Sequence, residues 1–350
     1  MTRMTPTEKP DVGASAPAES ALPGRLIVSA APHIRRRLDT GMVMRLVCIS
    51  LAPAAIASVY LFGLRSLFVI VTSLVVCVAT EALGNLAFRK KNTVTDGSAA
   101  VTGILFAFTL PPTTPLWMVA IGGFLAIFVV KQLFGGLGYN IFNPALAARA
   151  ILLASWPVTM TTWVEPVKSF LAMDAVTSAS PLGILKEGLL AGGGGDSLPA
   201  YLDLFLGTVP GCLGETCKVA LLAGALMLFL FRIIDWRIPL TFIGAVFVLS
   251  IPFGRDPVAA VLSGGLILGA FFMATDLVTS PTTKGGKLLF GLGCGILTSL
   301  IRSKGGFPEG VCYSILFMNS LAPLIDKYVQ PRVFGTGRAW LGKAGKQRHA

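Results

Sequence analysis

The chain has 350 residues, of which 54% are hydrophobic and 13% charged. Its mean hydropathy is +0.75, which excludes an ordinary soluble domain, where about 25% of residues carry charge. The formal charge of +12 is spread over tails and the ends of apolar runs. No basic face with interleaved aromatics is present, which excludes a nucleic-acid partner.

Taken in chain order, residues 1–24 are rich in Pro, Ala, Thr and Ser and read as a disordered N-terminal tail. They lack the basic start and apolar core of a signal peptide. Arg35, Arg36 and Arg37 then precede the first apolar run. Ten membrane spans are predicted. Five fall in a first half, 25–156, at about 42–63, 67–88, 95–112, 115–131 and 140–156. Five fall in a second half, 215–330, at about 215–232, 238–254, 257–274, 287–301 and 311–329. Between the halves lies a loop, 157–214, and after them a basic tail, 331–350.

The positive-inside rule orients the spans. Arg35–Arg37, Arg89, Lys90, Lys91, Lys131, Arg232, Arg237, Lys284, Lys287 and the C-terminal tail fall on one face, so both termini are predicted cytoplasmic and the 157–214 loop extracytoplasmic. Arg302 and Lys304 fall on the other face and oppose this scheme.

Several spans are short. Ala99–Leu110 covers only about 18 Å at 1.5 Å per residue. Polar backbone at that depth must be buried in protein or line a cavity. Asp96-Gly-Ser-Ala-Ala-Val101 is similar to Asp256-Pro-Val-Ala-Ala-Val261, and each opens a span ending near a Pro-Thr-Thr, at 112–114 and 281–283. Five spans per half is odd, so two such copies would be inverted, with a site near their interface.

Four stretches carry candidate chemistry. In Asp174-Ala-Val-Thr-Ser-Ala-Ser-Pro-Leu182, Ser180 offers a hydroxyl that a flavin phosphate can esterify, and Asp174 an acid upstream; a turn serine and a helix-capping Asp174 are the alternatives. In Lys131–Ala145, Asn140 and Asn143 offer donors and acceptors to a planar ligand edge, and Tyr139 and Phe142 faces for stacking. Asn143 equally fits a helix cap before Pro144. Glu215, in Gly211-Cys-Leu-Gly-Glu-Thr216, orients a helix end or binds a cation. Asp276 and Thr279 serve a cation, a proton or a cap.

Glu81, Asn85 and Arg149 lie in or near spans, where charge marks function by default. Arg149 would neutralise a flavin or phosphate, or pair with a carboxylate. Of six cysteines, Cys48, Cys77, Cys294 and Cys312 read as core, and Cys212 with Cys217 as a possible disulfide. The two histidines, His33 and His349, lie in the tails, which excludes a haem held within the membrane by histidines and disfavours a metal at the Cys212/Cys217 pair.

Lys131–Ala145, Ile301–Val311 and Pro323–Gly335 together resemble the NqrB/RnfD family, nearer its RnfD branch, with likeness from about Leu26 to Arg338. The resemblance implies an all-α polytopic fold of two inverted five-helix repeats, like urea transporters, with broken helices. It implies a bacterial inner-membrane subunit of the Rnf complex, an ion-translocating ferredoxin:NAD oxidoreductase moving Na+ or H+ and not catalytic alone. The expected partners are the other Rnf subunits (A, B, C, E and G), membrane lipid and a flavin transferase, with ferredoxin and NAD bound elsewhere. In the family a threonine of S/T-x-A-T carries FMN as a phosphoester. Here the stretch is Thr177-Ser-Ala-Ser180, which puts serine at the acceptor. A second, non-covalent flavin, riboflavin, is implied, with the Asn140/Asn143 loop as its candidate. The rival readings are a urea-transporter-like channel or a non-redox scaffold.

Overall fold

The computed structural model describes residues 39–89, 93–166, 180–184, 199–305 and 309–330. The expected N-terminal tail, Arg35–Arg37, Lys90, Lys91, Asp174, Thr177 and the basic C-terminal tail lie outside the described residues. Where apolar residues run without interruption, long helices form: α1 (Thr40–Phe62), α2 (Leu64–Ala87) and α12 (Lys284–Lys304). These three are long and apolar enough to cross a bilayer. The protein is an all-helical membrane protein, with no extended strand among its described residues. Gly63 alone joins α1 to α2, at a φ of 74° that other residues rarely adopt.

The remaining elements are shorter. They are α3 (Ser98–Phe108), α4 (Leu116–Phe124, continued as a π-helix over Leu125–Gln132), α5 (Pro144–Ser155) and α6 (Pro157–Met160). After a single turn at 181–184 come α7 (Tyr201–Leu206), α8 (Lys218–Leu230) and α9 (Arg237–Ser250). Then follow α10 (Pro257–Leu262), α11 (Leu266–Leu268, continued as a π-helix over Gly269–Met273) and, after α12, α13 (Val311–Tyr328).

Helix α2 packs on α3 and α4, α9 packs on α10 and α12, and α1 packs on α8. Small residues permit these approaches. Ser73 Oγ on α2 donates to the Gly103 carbonyl of α3 at 2.6 Å. A side chain at Gly224 of α8 would strike the Ser50 carbonyl of α1. Close backbone contact through small residues is how helices associate where lipid removes the hydrophobic driving force.

Three expectations change. The segment expected as one span over 257–274 is broken at Ser263–Gly265, where Ser263 is extended and Gly264 has φ 67°. Cys212 and Cys217 are both free thiols. Lys131 and Arg302 are not surface charges, being only 2% exposed each. Arg302 gives its guanidinium to the Ala260 carbonyl at 2.6 Å and the Ser263 carbonyl at 3.1 Å. It therefore closes the α10 break and does not report which side of the membrane it faces.

In the α8–α9 loop, Asp235 accepts from Arg237 at 2.8 Å and Lys287 at 3.2 Å, tying that loop to the start of α12. Burial pushes its carboxyl upward, but the hydrogen bonds from Arg237 and Lys287 outweigh this and hold it below the usual carboxylate range. A carboxyl depressed on folding stabilises above its unfolded pKa and stops doing so as pH falls through its folded value. Asp235→Asn should therefore lower the melting temperature by a constant amount from pH 7 down to roughly pH 5. The difference from wild type should close below roughly pH 4. Gly224→Val should destabilise by about 1–3 kcal/mol through the α1–α8 clash, read by thermal unfolding in detergent.

Candidate functional site

Polar groups gather at two ends of the bundle. At one end, Lys131 Nζ donates to Glu81 Oε1 at 2.8 Å and to Ser98 Oγ at 2.6 Å. Thr93 Oγ1 donates to the same carboxylate oxygen at 3.0 Å and accepts from Asn85 Nδ2 at 3.0 Å. Gln132 Nε2 donates to Asn85 Oδ1 at 3.2 Å. Asp96 Oδ1 takes the Ser98 N–H and hydroxyl, capping the start of α3. The lysine reaches this carboxylate because the π-helix turns Lys131 and Gln132 inward toward α2.

Beside this network opens a cleft with about 780 Å³ of non-protein space, part of it open to solvent. Ser98, Lys131, Asn140, Asn143 and Asp276 line it, with apolar walls from α1 and the second π-helix. Asn143 is the N-cap of α5, its Oδ1 accepting from Ala145 and Leu146 N–H. Its Nδ2 donates to the Met273 carbonyl at 3.3 Å. Asn140 Nδ2 donates to the Phe142 carbonyl at 3.1 Å, which leaves Oδ1 as its free hydrogen-bonding group. Tyr139 points away, 72% exposed. Thr279 Oγ1 donates to Asp276 Oδ2 at 3.0 Å, the geometry of a capped loop. Burial pushes the Asp276 carboxyl up.

Between the ends, Arg149 on α5 donates to the Thr109 carbonyl, where α3 stops, and to Glu309. It also contacts Cys212 Sγ at 3.3 Å. Candidate ligand atoms of Cys212, Glu215 and Glu309 lie within 4.8 Å of one another. The Arg149 guanidinium bonds two of those three groups, so a cation of the protein's own already serves them.

The other end holds Ser180, 8% exposed, whose Oγ accepts the Gly183 N–H at 3.2 Å. It borders a small pocket, with about 290 Å³ of non-protein space that includes open solvent, shared with Glu215, Thr216, Lys218, Ser263 and Glu309. A second pocket, with about 390 Å³ of non-protein space that includes open solvent, shares Glu215 and Glu309 with the first and adds Arg149 and Arg302. Glu215 Oε1 accepts the Cys212 N–H at 2.9 Å, so this acid orients the loop before α8. Ser180 and Arg149 thus belong to adjoining cavities, whereas Asn140 and Asn143 face the opposite end. Sequence reasoning missed Lys218, Arg255, Ser263 and Glu309. Lys218 was readable as a lone cation inside an apolar run. Glu309 was hidden in the glycine-rich stretch after Arg302.

The fold and these clusters define a polytopic helical membrane protein with internal charge networks. The chain belongs to the NQR2, RnfD, RnfE family, whose match covers residues 27–335. It is 49% identical over 322 residues to the D subunit of the proton-translocating ferredoxin:NAD(+) oxidoreductase complex of Clostridium ljungdahlii, covering 89% of this chain and 96% of that one. It is 46% identical over 313 residues to the D subunit of the Na(+)-translocating ferredoxin:NAD(+) oxidoreductase complex of Acetobacterium woodii, covering 89% and 95%. It is 39% identical over 329 residues to the D subunit of the ion-translocating oxidoreductase complex of Stutzerimonas stutzeri, covering 85% and 93%.

Removing one partner of a buried ion pair leaves an uncompensated charge and costs about 3–5 kcal/mol. Arg149→Met should destabilise on that scale. Arg149→Met with Glu309→Leu should recover part of the loss, as judged by a double-mutant cycle of thermal unfolding.

Proposed function

We propose that this chain is the D subunit of an ion-translocating ferredoxin:NAD oxidoreductase complex of the bacterial inner membrane, carrying FMN as a phosphoester on Ser180. The identity to three complex subunits over nearly the whole chain carries the assignment to the complex. The partners are then the other Rnf subunits, with ferredoxin and NAD reached through them, and membrane lipid around the helices.

The residues present suit the flavin. Ser180 borders a cavity whose walls hold a lysine and two hydroxyls with no hydrogen-bond partner of their own among the described residues. The serine oxygen would replace the leaving group on the phosphorus of an activated flavin nucleotide, its proton leaving with that group. A flavin transferase supplies the catalysis, and Asp174 and Thr177 fall in the segment it would recognise. Bound there, the isoalloxazine ring supplies one- and two-electron redox chemistry, while the protein supplies position and insulation. Buried Ser180 accepts the Gly183 N–H through the oxygen that would be esterified.

Two inverted five-helix halves, as in urea transporters, accommodate the elements. Asp96 caps the N–H of Ser98 at 2.8 Å and Asp256 that of Val258 at 3.0 Å, each two residues on. Lys131 and Arg302, each near the end of the fourth element of its half, reach back to the third, Lys131 to Ser98 at its start and Arg302 to Ala260 and Ser263 at its break. The positive-inside pattern favours the Lys131 end as cytoplasmic, with both termini on that side. A riboflavin is assigned to the cleft beside Lys131, where Asn140 Oδ1 would be a polar contact.

Denaturing electrophoresis after co-expression with the transferase tests the assignment. A fluorescent band is expected near the 36.8 kDa of the chain, lost in Ser180→Ala and kept in Ser180→Thr. A non-fluorescent wild-type band whose tryptic peptide has an unmodified Ser180 would reject the flavin and leave a channel or scaffold.

A further inference from the structure

Among the described residues, the two non-glycine residues at positive φ are both arginines. Arg89, at 52°, follows α2, and Arg232, at 54°, follows α8. The Arg232 N–H donates to the Phe229 carbonyl at 2.9 Å and the Ile233 N–H to the Leu228 carbonyl at 3.0 Å. These are the two bonds of a left-handed helix stop, with Arg232 in the position where glycine is usual. A residue with a Cβ is disfavoured there. Strain of this kind clusters where a side chain serves a function. Both arginine side chains are exposed and make no hydrogen bond or ion pair among the described residues. Ile233 lines the cleft beside Lys131, so α8 stops at the same end as α2.

Three segments meet around Arg232. Lys287 of α12 bonds Asp235 of the α8–α9 loop at 3.2 Å. Asp326 of α13 accepts the Thr282 N–H, just before α12, at 3.0 Å. Segments 229–240, 280–289 and 322–330 carry Arg232, Arg237, Lys284, Lys287 and Lys327 against Asp235 and Asp326. Asp235 already serves Arg237 and Lys287, and Asp326 a backbone N–H. Arg232, Lys284 and Lys327 are left exposed, with no ion pair among the described residues. Asp276 is the nearby acid of the cleft, and including it still leaves five cations against three acids. The sequence from 331 to 350 adds five Lys and Arg and no Asp or Glu, which keeps the sign positive.

The surroundings of these cations are apolar. Trp236 is 54% exposed and Tyr328 73%, and Leu240 of α9 and Leu324 of α13 are exposed on the flanking helices. Aromatic rings and cations above an apolar flank are the composition of a bilayer interface. An acidic soluble partner would use the cations alone. A phospholipid uses both, with its phosphate at the cations and its acyl chains along the leucines.

We propose that Arg232, Lys284 and Lys327 form a seat for the headgroup of an anionic phospholipid. Clustered cations beside a membrane span attract such lipids. The seat fixes the charge and the place of one lipid contact, and it rests on the chain spanning a membrane and not on the flavin.

The test is the melting temperature of the full chain in neutral detergent, alone and with phosphatidylglycerol or phosphatidylcholine. In detergent alone, Arg232→Gly relieves the left-handed backbone and should raise the melting temperature by about 1–3 °C. Phosphatidylglycerol should raise that of wild type by roughly 2–4 °C more than phosphatidylcholine does. This preference should shrink in Arg232→Gly. It should shrink as well in Lys284→Gln combined with Lys327→Gln, which leaves the helix stop untouched and serves if Arg232→Gly fails to fold.

Equal stabilisation of wild type by the two lipids would overturn the seat, as would an undiminished preference with all three cations replaced. A lower melting temperature for Arg232→Gly in detergent alone would also overturn it, because the arginine would then serve the helix dipole. If soluble glycerol phosphate acts as well as phosphatidylglycerol, the cations bind free phosphate and the lipid is rejected. Variants that show no lipid preference but lose other subunits of the complex on purification would assign the surface to an acidic protein and reject the lipid too.

Discussion

Two broken helices stop inside the bundle, and their carbonyl ends must be satisfied there. Helix α3 has 11 residues and spans about 16 Å, roughly half the hydrocarbon thickness. In such a place an unpaired carbonyl costs several kcal/mol. Helix α5 answers both ends. Arg149 donates to Thr109, at the end of α3, and Asn143 donates to Met273, at the end of the α11 π-helix. The loop before α8 adds Leu213 N–H to the Leu110 carbonyl and Gly214 N–H to the Phe108 carbonyl, both at 3.0 Å. One helix therefore holds two broken ones in register, and neither can shift without losing a buried hydrogen bond.

The charge networks follow from that constraint. A guanidinium placed to serve a helix end needs an anion, and Glu309 just before α13 supplies it. Lys131 and Arg302 fill similar places in their halves but differ in partner. Lys131 meets a carboxylate, Glu81, whereas Arg302 meets carbonyls. The first arrangement neutralises its charge and the second leaves it. Arg302 is thus held by neutral carbonyls, with Glu309 and Glu215 acting on it only electrostatically.

Much of this is legible in the sequence alone. Apolar run length marks α1, α2 and α12, and Pro144 after Asn143 marks the α5 cap, because these depend on neighbours in sequence. The α10 break is missed because Ser263-Gly-Gly265 sits among residues apolar enough to pass for one span. Lys131 and Arg302 mislead as topology markers because a charge at a helix end looks the same whether it meets water or a buried partner. The Arg149–Glu309 pair joins residues 160 positions apart, and no local pattern carries such information. Ser180 stands out by its motif, yet Lys218 and Ser263 beside it do not, since cavity walls are assembled from distant segments.

The position of Arg149 bears on ion movement through the proposed subunit. A cation travelling from the Lys131 cleft toward Ser180 would approach the guanidinium between them, and Coulomb repulsion in a medium of low dielectric falls slowly with distance. Glu309 offsets this only while the pair is intact. Phe108, Leu146 and Met273, each at most 2% exposed, line the pocket that Arg149 shares with Glu215 and Glu309. The guanidinium therefore opposes a cation on that line while its pair with Glu309 is broken. An ion route using the proposed subunit would either avoid Arg149 or require it to leave the Thr109 carbonyl, which would release the end of α3. Because the second course breaks the hydrogen bond that fixes a broken helix, ion passage along the axis and movement of α3 would be a single event.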